Sequence, residues 1–317
     1  MERTGGPEVL SLTELPDPRP GPADLLVQVR AAGVNFMDVY QRTGLYPRQL
    51  PCVLGAEGAG SVVAVGPDVE DFRPGDLVAW ADGGDSYAEL VRVPAGRAVP
   101  VPQGVPVDVA AAVLLQGLTA HFLTHDAFRL TRGSRCLVHA AAGGVGLLAV
   151  QMAKRLGAEV FATAGSDEKI EIARAAGADH VVNYREQEFG SAVEAVAGEH
   201  ALDVVYDGVG KATFDRGMDL LRPRGTMVTF GNASGPVDPV APLTLMTKGS
   251  LYLTRPTLRH YIATTAELTA RASDVLGWVA DGSLDVRISE RFPLGEAAEA
   301  HRRLEGRNTT GKLLLLP

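Results

Sequence analysis

Ala140-Ala141-Ala142-Gly143-Gly144-Val145-Gly146 is the stretch of sequence that decides the fold. It follows the apolar run Cys136–Ala140 and precedes a segment in which apolar residues recur at three- and four-residue steps. A strand, a turn without bulky side chains and a helix are therefore expected in succession. In such a turn backbone N–H groups can approach a pyrophosphate, and the positive end of the helix dipole faces the anion. The motif predicts a dinucleotide site at Gly143, Gly144 and Val145.

The fingerprint departs from the usual three glycines, because Ala140 takes the place of the first. Clusters of small residues also occur where helices merely pack, so the motif alone leaves a structural turn open. Its position between a strand and a helix favours the dinucleotide site.

The chain after Cys136 alternates between β-rich runs and helix-compatible segments, which predicts a doubly wound parallel α/β sheet of six strands. The later strands are predicted at Glu159–Ala164, His180–Tyr184, Leu202–Tyr206, Thr226–Gly231 and Ser250–Arg255. Helices are predicted at Asp167–Ala176, Gln187–Ala197 and Lys211–Leu221. The motif follows the first strand, where open α/β sheets bind dinucleotides.

The segment before about Val109 is interrupted by Gly and Pro and predicts a compact β-rich domain. Its strands are predicted at Leu25–Arg30, Gly60–Val65, Leu77–Trp80 and Tyr87–Val93. Asp108 is expected to cap a helix at Val109–Leu115.

The tail is expected to be helical at Ala266–Asp281 and a strand at Leu313–Leu316, which returns to the first domain. We therefore place a β-rich catalytic domain at residues 1–115, a dinucleotide-binding domain at 116–255 and a returning segment at 256–317.

Composition excludes several classes of protein. A net charge of −8 disfavours nucleic acid as a partner. We expect no membrane span, since no apolar run approaches the roughly 20 residues required, and without a signal-peptide core a cytoplasmic location follows. Cys52 and Cys136 lie far apart and the seven histidines are scattered, so no bound metal is expected.

The end of the second strand indicates which dinucleotide binds. An NAD site usually has a carboxylate at this tip, and none is present. Gly165 leaves volume for a 2′-phosphate, Ser166 can donate a hydrogen bond and Lys169 supplies charge. Asp167 and Glu168 argue against a phosphate, although side chains in a first helical turn can point outward. NADPH is therefore preferred to NADH.

Together these residues resemble the zinc-independent quinone oxidoreductases, the zeta-crystallin-like branch of the medium-chain dehydrogenase/reductase superfamily. The resembling segments are Gly5–Leu10, Gly33–Asp38, Gln116–Thr119, His139–Gly146, Asn183–Arg185, Gly231–Gly235 and Gly249–Pro256. The resemblance implies a GroES-like β-rich domain joined to a Rossmann domain. Chains of this family normally begin with a further short strand before Gly5, which leaves open a native start upstream of Met1.

The resemblance also implies a catalytic loop. Asn35, Tyr40 and Tyr46 would lie near the nicotinamide and the substrate, and Arg42 would add positive potential at the mouth. We interpret Asn35 and Tyr46 as donors where oxyanion charge develops.

Further cofactor contacts are implied at the start of the domain-linking helix and around the nucleotide. Gln116 and Thr119 would approach the cofactor, and Tyr184 and Lys169 would face the adenosine phosphate. Secondary candidates, each equally compatible with ordinary core or surface structure, are Phe230, Leu253 and Arg307.

Zinc alcohol dehydrogenase relatives have a Cys where Asn35 stands and a His where Ala56 stands beside Glu57. A lone carboxylate makes a poor zinc site, so Glu57 is expected to accept hydrogen bonds instead.

The resemblance predicts an NADPH-dependent quinone reductase that uses no metal and forms a homodimer through the edge strand Ser250–Arg255. Two alternatives remain open. One is an NADPH-dependent enone or 2-alkenal reductase, with Tyr46 as proton donor. The other is a non-catalytic NADPH-binding protein.

Overall fold

The computed structural model describes residues 1–317, which divide into two units. Unit 1 comprises Met1–Leu118 and Tyr261–Pro317, and unit 2 comprises Thr119–His260. The predicted boundaries after residues 115 and 255 lie close to the observed ones after 118 and 260.

The strands are β1 (Asp24–Val34), β2 (Glu57–Val65), β3 (Leu77–Ala81), β4 (Leu90–Pro94), β5 (Ala98–Pro100), β6 (Arg135–Val138), β7 (Glu159–Ala164), β8 (His180–Asn183), β9 (Leu202–Asp207), β10 (Leu221–Thr229), β11 (Tyr252–Thr254), β12 (Ile288–Pro293) and β13 (Lys312–Leu316). The α-helices are α1 (Phe36–Thr43), α2 (Val107–Phe122), α3 (Gly144–Arg155), α4 (Asp167–Ala175), α5 (Phe189–Ala197), α6 (Phe214–Asp219), α7 (Pro242–Thr247), α8 (Leu258–Tyr261), α9 (Thr265–Ala280) and α10 (Ala297–Glu305).

Unit 1 is built on a seven-stranded sheet in the order β12-β13-β1-β2-β3-β5, with β4 also paired to β1. In β1, Leu25, Val27 and Val29 are buried in the core while Gln28 and Arg30 are exposed, as expected for a strand with one buried face. β13 lies between β1 and β12, antiparallel to β1 and parallel to β12. The prediction that the tail returns to the first domain is therefore confirmed.

Unit 2 is built on six parallel strands in the order β11-β10-β9-β6-β7-β8. The predicted doubly wound sheet is confirmed. The chain runs outward from β6 through β7 to β8 and then crosses to β9 on the other side of β6. The strand order reverses beside β6, and α3 begins there, at the position where such sheets bind ligands.

Some predicted boundaries were wrong. α2 begins at Val107, so Asp108 lies inside its first turn and does not cap it. α6 is shorter than predicted because a turn precedes it, in which the Thr213 N–H donates to the Gly210 carbonyl at 2.9 Å. β10 begins earlier than predicted because Leu221 already pairs with Leu202 of β9.

The apolar helical segment Val107–Ala127 has 21 residues and is long and apolar enough to cross a membrane, contrary to our expectation that no run approaches this length. Of its most apolar window, 83% is buried within the protein. This burial identifies the segment as a core helix, since a membrane span would present apolar side chains outward.

Candidate cofactor-binding and active site

The turn between β6 and α3 has the geometry of a phosphate cradle. The Gly143 N–H donates to the Ala140 carbonyl at 2.9 Å, and α3 begins at the next residue. As the N-cap of α3, Gly143 has no side chain to bond the first-turn N–H groups. The first-turn N–H groups have no carbonyl partner within a helix, so Gly144 and Val145 present backbone donors suited to a pyrophosphate, whereas the Gly143 N–H is already bonded to Ala140.

Gly146 allows α3 to pack closely on this turn. A Cβ at Gly146 would overlap the Ala140 carbonyl oxygen and lie 2.9 Å from the Ala141 Cα. Ala140 itself has a φ of 52°, a left-handed conformation that costs an L-residue about 1–2 kcal/mol. The cradle therefore keeps the backbone shape of the three-glycine fingerprint although its first residue is alanine.

The tip of β7 and the start of α4 form the second half of the candidate nucleotide site. Ser166 is the N-cap of α4, and its Oγ accepts from the Lys169 N–H at 3.4 Å. A Cβ at Gly165 would overlap the Tyr184 hydroxyl and lie 2.7 Å from the Tyr184 Cζ. The expectation of open volume at Gly165 was therefore wrong, because the Tyr184 ring fills it and brings a phenol hydroxyl to the strand tip.

Two cations lie together beside this tip. Burial lowers the pKa of Lys169, and repulsion by the nearby Arg185 guanidinium lowers it further. Asp167 and Glu168 are exposed, and Asp167 accepts from the Asn183 side-chain amide at 3.3 Å. Because like charges held together are stabilised by an anion, this pocket suits a phosphate group. Sequence reasoning did not select Arg185, although its place next to Tyr184 was a usable signal.

Asn35 lies in unit 1 at the N-cap of α1 and is only 6% exposed. Its Nδ2 donates to the Gly33 carbonyl at 3.2 Å and to the Glu57 Oε1 at 2.9 Å. Its Oδ1 accepts from the Lys312 Nζ at 2.8 Å. Both amide hydrogens are used within the protein, so the hydrogen bonding of Asn35 does not agree with our prediction that it donates to a developing oxyanion.

Glu57 and Lys312 form a fully buried ion pair. Their side chains are 0% and 1% exposed, and the Lys312 Nζ contacts the Glu57 Oε1. The second Glu57 oxygen accepts from the Leu115 N–H at 2.9 Å. Glu57 therefore accepts hydrogen bonds, as expected. Lys312 was missed by sequence reasoning because it lies 255 residues from its partner.

The two loop tyrosines differ in exposure. Tyr40 is 8% exposed, whereas Tyr46 is 36% exposed, and their rings meet edge to face at 5.1 Å between centroids. The Tyr46 N–H donates to the Tyr40 carbonyl at 3.0 Å, which fixes the loop backbone. Tyr46 is therefore the more accessible of the two tyrosines, and its ring packs against that of the buried Tyr40.

The charge of Arg42 is not exposed at the mouth of the predicted site, so the expectation that Arg42 adds positive potential there was wrong. Its side chain is 1% exposed, and its guanidinium donates two parallel hydrogen bonds to the Glu305 carboxylate at 2.8 and 2.9 Å. The Arg42 Nε donates to the Gly5 carbonyl at 3.1 Å. This bidentate pair, in which Arg42 is buried and Glu305 is 34% exposed, neutralises the Arg42 charge and ties α1 to α10.

Arg42 also begins a directed chain of buried hydrogen bonds. It can only donate, so the His301 Nδ1 at 3.1 Å is an acceptor. Burial and the Arg42 charge lower the pKa of His301 to about 3, so its ring is neutral and Nε2 carries the hydrogen. That Nε2 lies 3.1 Å from the Tyr87 hydroxyl, which donates to the Asp38 Oδ2 at 3.0 Å. Burial raises the pKa of Asp38 to about 6.

The remaining predicted residues differ in burial and packing. On α2, Gln116 and Thr119 are both 9% exposed. The Phe230 ring packs against Gly208, and Leu253 packs against the hydrophobic core of unit 2. Arg307 is exposed in unit 1. For Leu253 this packing is the ordinary core role that the sequence left open.

Two domain families match the chain. Residues 21–103 match the alcohol dehydrogenase GroES-like domain, and residues 144–279 match the zinc-binding dehydrogenase family. A quinone oxidoreductase from Pseudomonas aeruginosa is 45% identical over 99% of this chain and 97% of the relative. Quinone oxidoreductase 1 from Escherichia coli is 41% identical over 100% of this chain and 98% of the relative. The chain belongs to the quinone oxidoreductase family.

Solved structures agree with this membership. The Escherichia coli quinone oxidoreductase in complex with NADPH matches with a TM-score of 0.97 and 41% identity, covering 100% of this chain and 98% of that chain. The predicted combination of a GroES-like domain with a Rossmann domain is confirmed, as is the resemblance to quinone oxidoreductases. The chain is also similar to a 2-haloacrylate reductase from Burkholderia, which is 38% identical over 100% of this chain and 98% of the relative.

The description of the zinc-binding dehydrogenase family implies a metal, and the residues of this quinone oxidoreductase family member do not fit one. No three His, Cys, Asp or Glu side chains lie at a spacing that could hold a metal ion. At Glu57 an ammonium and an amide already bond the carboxylate.

Proposed function

We propose that this protein is an NADPH-dependent quinone reductase that transfers reducing equivalents from NADPH to a quinone without a metal. The observation that carries the proposal is the phosphate cradle combined with the Lys169 and Arg185 cation pair. Together they match the pyrophosphate and the adenosine 2′-phosphate of a phosphorylated dinucleotide. The chain is also 41% identical along its whole length to a quinone oxidoreductase whose structure contains NADPH.

The cradle amides of Gly144 and Val145 would hold the pyrophosphate, and Gly143, whose N–H bonds the Ala140 carbonyl, would line the cradle without a side chain. Ser166, Lys169, Tyr184 and Arg185 would hold the 2′-phosphate by charge-assisted hydrogen bonds beside Gly165. Further proposed cofactor contacts are Asn35, Tyr40, Gln116 and Thr119, with Phe230, Leu253 and Arg307 secondary.

NADPH, when bound, supplies a hydride from its nicotinamide ring. An electron-poor quinone needs little activation to accept it, so one donor at the developing oxyanion suffices. We assign this donor to Tyr46, whose ring is held by Tyr40 and whose side chain reaches the surface. Asn35 and Arg42 stabilise the loop, since their side-chain N–H groups already donate hydrogen bonds within the protein.

A panel of acceptors tests the function. Loss of NADPH absorbance is followed with 1,4-benzoquinone, 1,2-naphthoquinone and small enones. We expect turnover with the quinones, and Tyr46→Phe should lower kcat by about a hundredfold, the effect of one oxyanion donor. Tyr261→Phe, at a tyrosine outside the proposed site, serves as the control. Absence of quinone turnover by the wild type would contradict the proposal.

A double-bond reductase is the second candidate, because the 2-haloacrylate reductase is 38% identical over the whole chain. In that reaction Tyr46 would protonate the enolate formed by hydride addition. Rapid enone turnover without quinone turnover would favour this function. NADPH binding without oxidation by any acceptor would indicate a non-catalytic NADPH-binding protein.

We also infer a cytoplasmic homodimer that takes a small-molecule quinone. The edge strand β11 and the helix α7 carry large exposed apolar side chains, with Leu243 at 62%, Met246 at 60% and Tyr252 at 63%. Pairing of β11 across a two-fold axis would cover them. Sedimentation equilibrium should give twice the chain mass of 33.4 kDa, and a monomer would contradict the inference.

A further inference from the structure

The ammonium of Lys312 is enclosed on all sides although it belongs to the most strongly hydrated type of cation. Its side chain is 1% exposed and contacts the Glu57 carboxylate, which is 0% exposed. Removing two charges from water is costly unless they are paired and their remaining hydrogen-bonding capacity is used. Here that capacity is used by the Asn35 Oδ1 and the Leu115 N–H.

The backbone around this ammonium is adapted to it. Gly33 of β1 pairs with Glu57 of β2 and with Leu314 of β13. A Cβ at Gly33 would lie 2.6 Å from the Lys312 Cε and would overlap the Glu57 Oε1. Gly33 does not have a positive φ, so no turn requires glycine here. Glycine is required because the Lys312 stem and the Glu57 carboxylate occupy the space above it.

We propose that Lys312 is a positioning residue that acts as the resident cation of unit 1, in place of the metal that the family description implies. Its fixed positive charge neutralises Glu57 and holds the Asn35 amide in one orientation. Asn35 is the N-cap residue of α1, the helix that leads to Tyr40 and Tyr46, and its backbone carbonyl accepts from the Asp38 N–H at 3.1 Å. Lys312 therefore orients the loop through Asn35 without touching the substrate.

Chemical rescue tests this role. Lys312→Ala removes the atoms of n-propylamine, so the n-propylammonium ion fits the space that the variant opens. We expect Lys312→Ala to lower the thermal unfolding temperature and to lower kcat for quinone reduction about tenfold to a hundredfold. n-Propylammonium should restore both in a saturable manner, whereas 1-propanol, which has the same size and no charge, should restore neither.

Two further variants separate positioning from mere stability. Glu57→Gln with Lys312→Met replaces the buried pair by uncharged groups of similar size and should fold stably. Its kcat should nevertheless stay low, because the Asn35 Oδ1 has lost its ammonium donor. Lys248→Ala, which removes the partner of Asp219 in unit 2, is the matched control and should not respond to the amine.

Wild-type kcat in the double variant would overturn the positioning role, as would equal rescue by 1-propanol and n-propylammonium. The thermal readout does not rest on the proposed function. Thermal rescue in a chain that reduces no quinone would therefore reject the function and retain the resident cation.

Discussion

At the scale of single residues, Lys169 is the residue that we propose selects the cofactor. Its ammonium is half-buried beside Arg185, where a phosphate would relieve the repulsion between the two cations. The phosphate would also accept hydrogen bonds from the Ser166 and Tyr184 hydroxyls. The nucleotide NADH lacks this phosphate and gains none of these interactions.

Lys169→Ala should therefore weaken NADPH binding by about 1.5–3 kcal/mol, the range for a hydrogen bond to a charged group, and leave NADH binding unchanged. Isothermal titration with both nucleotides measures the effect. Arg174→Ala, which breaks an exposed pair with Glu171 on the same helix, is the control. Equal losses for the two nucleotides, or equal affinities in the wild type, would show that no phosphate binds there.

Residues of the proposed nucleotide site could be selected from the sequence because a strand and its following helix place neighbours in sequence close in space. Ser166 and Lys169 lie within three residues, and one local motif defines both. The roles of Asn35 and Arg42 were not accessible in this way. Their partners Lys312 and Glu305 lie 277 and 263 residues away, so no local pattern shows that these polar groups are already bonded.

At the scale of elements, the packing of α3 against its preceding turn decides the shape of the cradle. β7 was predicted with its observed bounds because Glu159–Ala164 is a short β-rich run ended by glycine. Boundaries were missed where tertiary pairing overrides local signals. β10 pairs with β9 at Leu221 although Pro223 lies two residues further on. The register shift between Leu221 and Thr226 accommodates the proline.

Gly146→Ala tests the element packing. The added Cβ would overlap the Ala140 carbonyl, so the turn must shift. Its backbone N–H groups would then no longer point at the pyrophosphate. We expect NADPH affinity to fall at least about tenfold, which is about 1.4 kcal/mol.

The control for this prediction is Gly277→Ala in the interior of α9, where an added Cβ meets no atom within 4 Å. It should leave affinity unchanged and stabilise the fold by up to about 1 kcal/mol, the difference in helix propensity. Urea unfolding and nucleotide titration measure both variants. Unchanged NADPH affinity in Gly146→Ala would show that the cradle tolerates displacement.

At the scale of the whole molecule, Asp38 and His301 give opposite pH dependences to the free energy of unfolding. His301 has a pKa of about 3 when folded and 6.5 ordinarily, so the unfolded chain binds the extra proton and stability falls as pH drops below 6.5. Asp38 has a pKa of about 6 when folded and 3.8 ordinarily, so the folded chain keeps the proton and stability falls as pH rises from 3.8 to 6. Between these limits the two contributions oppose each other.

Removing either group should leave the pH dependence that the other group gives to the free energy of unfolding. As the pH falls from 6 to 4, the free energy of unfolding of Asp38→Asn should decrease relative to that of the wild type, by up to about 1.4 kcal/mol per pH unit. His301→Gln, which keeps one acceptor and one donor, should change in the opposite direction. Urea unfolding at a series of pH values measures both slopes. Slopes of the same sign in the two variants would contradict the assignment.

Because β13 lies between β1 and β12, it determines the order in which the two units can fold during translation. Unit 2 is one uninterrupted stretch, so it can fold while the remaining residues are still being translated. Unit 1 cannot complete its fold until Lys312–Leu316 has been translated, because until then its sheet lacks an interior strand and Glu57 lacks its counterion. Nascent chains stalled before Lys312 should therefore expose the first hundred residues to proteases while the nucleotide-binding half already resists them.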